Sequence, residues 1–155
     1  MLLGVSETLR AYLAGTIPAV AVEIGSIADL ARNHSADVLL LVLYEVEDAS
    51  DLRAAPARLA PDAQEPVALR LQYLVTVHGQ DVGEVQERLS QVFEAFHQHP
   101  VFTGEELDTT IASRVGRLTI QLKSTPLEDL RNLWTAFGTG MQLSLYYEVN
   151  AQPPP

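Results

Sequence analysis

The fold is decided by residues 124–149, which read STPLEDLRNLWTAFGTGMQLSLYYEV. Thr125 is a typical helix N-cap residue, Pro126 suits the first helical position because it has no N–H to leave unpaired, and Glu128 completes a capping box. Gly138 is expected to end the helix. Apolar side chains recur at helical spacing before this glycine and at every second residue after it. The stretch therefore predicts a helix, a turn and a strand with one buried face.

The rest of the chain shows the same two spacings. They predict helices over residues 2–14 and 82–99, and strands over residues 19–24, 37–46, 67–78, 118–123 and 143–149. Residues 38–43 are apolar at every position, which predicts a central strand that is covered on both sides at its start. Asp81 is the expected cap of the second helix, and residues 102–104 are predicted as a turn.

The order of these elements predicts the fold class. It is typical of an α+β domain, here residues 1–150, with a single mixed, mostly antiparallel sheet of four to five strands and helices packed on one face. Residues 151–155 read AQPPP and are predicted as a proline-rich C-terminal tail.

The composition indicates a folded, acidic protein. The chain has 155 residues, 47% of them hydrophobic, and a net charge of −10 from 20 acidic and 10 basic residues. Without a basic cluster we predict no nucleic-acid partner. The apolar runs are shorter than a membrane span, so we predict no membrane contact. The first residues lack the basic segment of a secretory signal, which predicts a cytoplasmic protein. Absence of cysteine excludes disulfides and thiol nucleophiles.

Two groups of polar residues are candidates for chemistry. His97 and His99 are two residues apart at a helix end, so their side chains point to different sides, which disfavours a metal site. His78 and Asp81 are typical of a general base with its orienting carboxylate, or of a turn with a capping aspartate. No nucleophile is linked to them by a motif. We therefore predict no catalytic residue, no metal and no cofactor, and keep a small hydrolase that uses His78 and Asp81 as an alternative.

The polar faces of the strands indicate a surface that binds a protein partner. Large hydrogen-bonding side chains alternate with apolar ones and are predicted to lie on the sheet face opposite the helices. Residues 47–66, which contain several acids and three prolines, predict an exposed contact loop. These features predict partner contacts at Arg70, Gln72, Tyr146, Glu148, Asp51 and Asp62.

Five segments of the chain together resemble a known family; they are residues 39–46, 66–76, 96–104, 118–123 and 126–138. They resemble the cap, or tail-terminator, proteins of phage-tail-like contractile injection systems of the antifeeding-prophage and virulence-cassette type. The resemblance implies a structural protein without catalytic residues. It implies a homo-oligomer, a hexameric ring that closes the distal end of the inner tube and contacts the last layer of the sheath. It also implies assembly in the bacterial cytoplasm into a particle that can be released.

The resemblance also suggests where the partners bind. The loop of residues 47–66 and the strand of residues 143–149 are the expected contacts with neighbouring subunits. If this strand lies at a sheet edge, we expect it to pair with an incoming sheath segment by β-augmentation. The alternative within the same kind of particle is a baseplate or connector adaptor.

Overall fold

The computed structural model describes residues 1–32, 36–52 and 67–155. Its helices are α1 (Leu2–Thr16), α2 (Val82–Gln98) and α3 (Leu127–Phe137). Its strands are β1 (Ala21–Gly25), β2 (Val38–Asp48), β3 (Leu69–His78), β4 (Val101–Thr103), β5 (Arg117–Leu122) and β6 (Ser144–Gln152). Single turns of 3-10 helix occupy Ile27–Ala31, Ser50–Leu52 and Gly104–Glu106. No helix in the described ranges is long and apolar enough to cross a membrane.

The six strands form one sheet in the order β1-β2-β3-β6-β5-β4. β1 runs parallel to β2, and every other neighbouring pair is antiparallel. The predicted mixed, mostly antiparallel α+β sheet is therefore confirmed, but the predicted number of four to five strands is wrong. The additional strand is β4, whose residues 102 and 103 were expected in a turn. It has only three residues, which is too few for an alternating pattern to be recognised in the sequence.

Helices cover both faces of the sheet, so the prediction that they pack on one face is wrong. α1 and α2 pack on one face, where Leu9 and Phe96 lie in the same core cluster as Leu39 and Tyr73. On the other face Trp134 of α3 belongs to a second, smaller cluster, which contains Leu40, Val42, Leu74 and Tyr146. The predicted coverage of β2 on both sides at its start is confirmed, because its residues alternate between the two clusters.

β6 lies in the interior of the sheet. It pairs with β3 on one side and with β5 on the other. The hypothesis that this strand lies at a sheet edge and receives a sheath segment is therefore wrong. β6 extends to Gln152, whose carbonyl accepts a hydrogen bond from the Gly116 N–H at 2.9 Å. The sheet thus includes two of the residues that the sequence assigned to the tail.

The helix ends agree with the sequence in part. Asp81 caps α2 as predicted, because its Oδ1 accepts a hydrogen bond from Glu84 N at 2.9 Å. α3 begins one residue later than expected: Pro126 occupies the N-cap position and no side chain caps the helix, so the predicted Thr125 cap is wrong. Gly138 ends α3 as predicted, with a φ of 75° that glycine adopts without strain.

Candidate partner-binding surface

α3 covers only part of its face of the sheet, and the part beyond it carries polar side chains. Paired residues of antiparallel strands project to the same side. The pairing places Arg70 of β3 between Glu47 of β2 and Asn150 of β6, and places Gln72 beside Glu148. Asp51 follows β2 in a 3-10 turn. We call this group the Arg70 cluster; it consists of Glu47, Asp51, Arg70, Gln72, Glu148 and Asn150.

Arg70 lies at the centre of three carboxylates. Its Nη2 donates to Asp51 Oδ2 at 3.0 Å, its Nη1 is 3.8 Å from Glu47 Oε2, and its Nε is 3.6 Å from Glu148 Oε1. The hydrogen bond with Asp51 is the main cause that raises the pKa of Arg70, with smaller contributions from the charges of the three acids. One positive charge thus faces three negative ones, and the cluster carries an excess of negative charge.

Two amide side chains lie beside these carboxylates. Gln72 Nε2 donates to Glu148 Oε2 at 3.2 Å, and Asn150 Nδ2 donates to Glu148 Oε1 at 3.3 Å. The oxygens of both amides are buried and have no hydrogen-bond partner within the described part of the chain. Gln72 itself is only 2% exposed. A buried acceptor without a donor costs about 1–3 kcal/mol, so an additional donor at this place would be stabilising.

The structure brings together four of the six predicted contact residues, namely Arg70, Gln72, Glu148 and Asp51. Tyr146 lies apart from them: it is 7% exposed, and its hydroxyl accepts a hydrogen bond from Trp134 Nε1 at 2.7 Å. The expectation that Tyr146 lies on a face opposite the helices is wrong, because α3 packs on that face. Asp62 and most of the predicted contact loop fall outside the described residues.

The sequence placed Glu47 at the start of the predicted contact loop and did not single out Asn150; the structure places Glu47 in β2 instead. A bulge shifts the register of β2 between Leu43 and Glu45. Before the bulge the even-numbered residues of β2 face α3, and after it the odd-numbered residues face α3. Alternation without a bulge would therefore place Glu47 on the opposite face of the sheet. Asn150 is paired with Arg70 across β3 and β6, which becomes visible only when the strand order is known.

The hydrolase alternative concerns a groove at the end of β3. His78 and Asp81 both line it. His78 Nε2 is 2.8 Å from Gln142 Oε1, and the Asp81 carboxylate serves as the cap of α2. The described lining residues include no serine, cysteine or lysine, and the hydroxyl of Thr76 donates to Leu143 O at 3.0 Å. Thr139 also lines the groove. The contacts of His78, Asp81 and Thr76 hold the ends of the sheet and of α2 in place.

The two histidines at the end of α2 contact different neighbours. His97 stacks on Phe93 with a ring-centroid distance of 5.6 Å, whereas His99 Nε2 lies 2.7 Å from Glu106 Oε1. Within residues 1–32, 36–52 and 67–155, no group of three or more histidine, cysteine, aspartate or glutamate side chains could hold a metal ion.

A smaller apolar groove lies between α2 and β5. Phe93 and Leu122 line it with exposed side chains, and Tyr147 lies at its base. The Tyr147 hydroxyl is buried without a hydrogen-bond partner in the described part of the chain, and burial raises the pKa of Tyr147. Its described lining residues include no aspartate, glutamate, lysine or arginine.

Two solved structures share this fold over 97% of the chain. One is described as the PVC sheath/tube terminator, in the extended state, of an extracellular contractile injection system; it has a TM-score of 0.68, 19% sequence identity and 55% of its own length covered. The other is described as the anti-feeding prophage cap, the AFP tube-terminating cap; it has a TM-score of 0.69, 20% identity and 54% of its length covered. The present chain thus spans about half the length of these two structures.

A comparison with curated protein sequences gives no match. A family model described as the Pvc16 N-terminal domain matches residues 4–153. This match covers nearly the whole chain and, together with the shared fold, confirms the resemblance that the sequence predicted. The chain therefore belongs to the Pvc16 N-terminal domain family.

Proposed function

We propose that this protein is a structural cap subunit of a contractile injection system. In this proposal it closes the distal end of the inner tube and contacts the last layer of the sheath. The observation that supports it most directly is the shared fold over 97% of the chain with two structures described as a sheath/tube terminator and a tube-terminating cap. Because the chain spans about half of those two structures, the proposal concerns only the part of the cap that this domain forms.

The proposal includes a homo-oligomeric ring, and a hexamer is the expected stoichiometry. A closed ring requires two different surfaces on each subunit, because each copy contacts one neighbour on either side. The sheet offers two such surfaces at its opposite edges, which are formed by the short strands β1 and β4. The core clusters on both faces give the subunit the rigidity that a ring needs.

The proposed role is structural and not enzymatic. In support, the described lining residues of the His78 groove include no serine, cysteine or lysine, and Asp81 serves as a helix cap. We expect the subunit to assemble in the bacterial cytoplasm and to become part of a particle that can be released.

Co-assembly with the tube and sheath proteins of the same bacterium tests this function. Cryo-electron microscopy of the particles should find the chain as a ring at the tube end that lies opposite the baseplate, and native mass spectrometry should give the ring stoichiometry. Density for the chain at the baseplate or at an internal junction would instead identify an adaptor. A monomer that binds neither tube nor sheath would contradict the proposal.

A further inference from the structure

We propose that copies of this chain join their sheets edge to edge: β1 of one copy pairs antiparallel with residues 121–123 of the next. We call residues 121–123 the open edge. The inference rests on the proposed function only in that the pairing would be the contact between neighbours in the ring. The pairing itself is argued from the two edges of the sheet, so the inference and the proposed function can fail separately.

The open edge exists because β4 covers only the first half of β5. The three residues of β4 pair with residues 117–119, and Pro100 O accepts a hydrogen bond from Ile120 N at 2.8 Å. On the other side of the strand, Lys123 N donates to a carbonyl of β6 at 2.7 Å. Because backbone groups point to alternate sides along a strand, those of Leu122 point away from β6, beyond the end of β4. Such an edge can pair with another strand.

β1 is the edge strand at the opposite end of the sheet, and its length fits this opening. Gly25 lies in one row with Lys123, through one residue each of β2, β3 and β6, so both segments occupy the same part of the sheet. With Glu23 opposite Lys123, β1 ends at Gly25 opposite Gln121, directly before the place that Pro100 occupies. This register moves the neighbour by two residues along the strands, and strands of a closed sheet are staggered in this way.

The same register matches the two faces of the sheet. Ile24 projects to the face of α1 and α2 and Glu23 to the face of α3, as their pairing with β2 shows. Leu122 and Lys123 project to the same two faces. Paired residues of antiparallel strands share a face, so Ile24 of one copy would contact Leu122 of the next. Leu122 is 42% exposed in the single chain, and this contact would bury it.

Charge favours a second copy as the occupant. The chain has a net charge of −10, and Lys123 is its only lysine. Residues 117–123 read RLTIQLK and contain no acid, whereas Glu23 is the charged residue of β1. Glu23 and Lys123 are exposed, and neither forms an ion pair within the described part of the chain. The pairing brings the basic edge of one copy to the acidic edge of the next, which offsets the repulsion between two acidic copies.

A charge exchange tests the contact between Glu23 and Lys123. Sedimentation equilibrium of the purified chain measures self-association. Glu23→Lys and Lys123→Glu each place like charges opposite one another, so each should raise the dissociation constant about tenfold. The double variant restores an opposite pair and should return to within about threefold of the wild type. Glu87→Lys, at an exposed position of α2, changes the net charge as Glu23→Lys does and should associate like the wild type.

Cysteine cross-linking tests the same contact without relying on charge, since the chain has no cysteine. The variant Glu23→Cys, Lys123→Cys should form covalent multimers under mild oxidation, because residues paired across strands are close enough for a disulfide. The control pair Glu87→Cys, Lys123→Cys should not. Both variants are oxidised free in solution and after binding to tube–sheath particles assembled without this chain, so that a ring formed only on the particle is also detected. Thermal unfolding should give Tm values near that of the wild type.

The outcomes separate the inference from the cap function. If the Glu23→Cys, Lys123→Cys variant forms no covalent multimers in either state, the inference is overturned, and its binding to the particles still supports the cap function. If the wild-type chain self-associates through this contact but binds neither tube nor sheath, the cap function fails instead. Charge variants that lose binding to the particles while self-association is unchanged would identify a tube or sheath segment at the open edge and would overturn the inference.

Discussion

The indole of Trp134 donates a hydrogen bond to the hydroxyl of Tyr146 at 2.7 Å, and this contact joins α3 to the centre of the sheet. Both side chains are buried, and the hydrogen bond between them lies in the interior of the protein. The pair fixes the position of α3 over β6 and thereby determines how much of this sheet face remains free for the Arg70 cluster.

Tyr146→Phe removes the acceptor and leaves the Trp134 N–H unpaired in the second core cluster. Because a buried donor without a partner keeps its full desolvation cost, we expect the free energy of unfolding to fall by about 1–3 kcal/mol. Urea denaturation followed by tryptophan fluorescence measures this change, since Trp134 is the only tryptophan. An unchanged midpoint would show that the hydrogen bond contributes nothing to stability.

Tyr147→Phe is the matched comparison one residue along the same strand. The Tyr147 ring packs against Phe96 with a centroid distance of 5.0 Å, and its hydroxyl is buried without a partner in the described part of the chain. Removing that hydroxyl should leave the free energy of unfolding unchanged or raise it by up to about 1 kcal/mol. A loss as large as that of Tyr146→Phe, measured in the same denaturation series, would mean that this hydroxyl is satisfied in solution.

Gly116→Ala tests the contact between the start of β5 and the residues after β6. A Cβ at Gly116 would lie 2.6 Å from Pro154 Cα, so the backbone there must shift and the variant should be destabilised by about 1–3 kcal/mol. Gly15→Ala, near the end of α1 with no atom within 4 Å of the added Cβ, should be neutral or slightly stabilising. Differential scanning calorimetry of the two variants checks the difference, and equal Tm values would contradict the packing at Gly116.

Glu106 should contribute to the acid sensitivity of the fold. The hydrogen bond from Thr103 N, followed by the contact with His99, lowers the pKa of Glu106 from its ordinary value of 4.5. A carboxylate with a lowered pKa stabilises the folded state above its unfolded pKa, and this stabilisation is lost as the pH falls through the lower, folded value. Glu106→Gln should therefore reduce stability at neutral pH and leave it unchanged at strongly acidic pH. Urea midpoints measured across this range test the expectation; parallel curves for variant and wild type would contradict it.

Much of the fold could be predicted from the sequence, because long segments with a regular spacing of apolar residues make up most of the chain. β2, β3, β5, β6 and all three helices follow their predicted spacing to within a few residues. The strand β4 was missed because three residues define no period, and it became a strand only through pairing with β5. The helix over the second face of the sheet was not predicted. The spacing of α3 shows that one side of this helix is apolar, but it does not show on which face of the sheet that side packs.

The candidate site was predictable only in part. Arg70, Gln72 and Glu148 follow from alternation along single strands, which reports the face on which a residue lies. Tyr146 shares that face with them, but alternation does not report where along the strands a helix will cover it. The bulge at Leu43 and Glu45 changes the alternation of β2, and this change is specified by pairing with β3 and not by the residues of β2 alone.

The interior position of β6 has a consequence for the order of folding. β1, β2 and β3 form one part of the sheet, β4 and β5 form the other, and β6 is the strand that joins them. During synthesis the ribosome releases β6 after all the other strands, so the two parts have no shared hydrogen bonds until it arrives. Contacts between segments so far apart in sequence form slowly. The nascent chain must therefore keep the open edges of β3 and β5 from pairing with other chains until β6 joins the two parts.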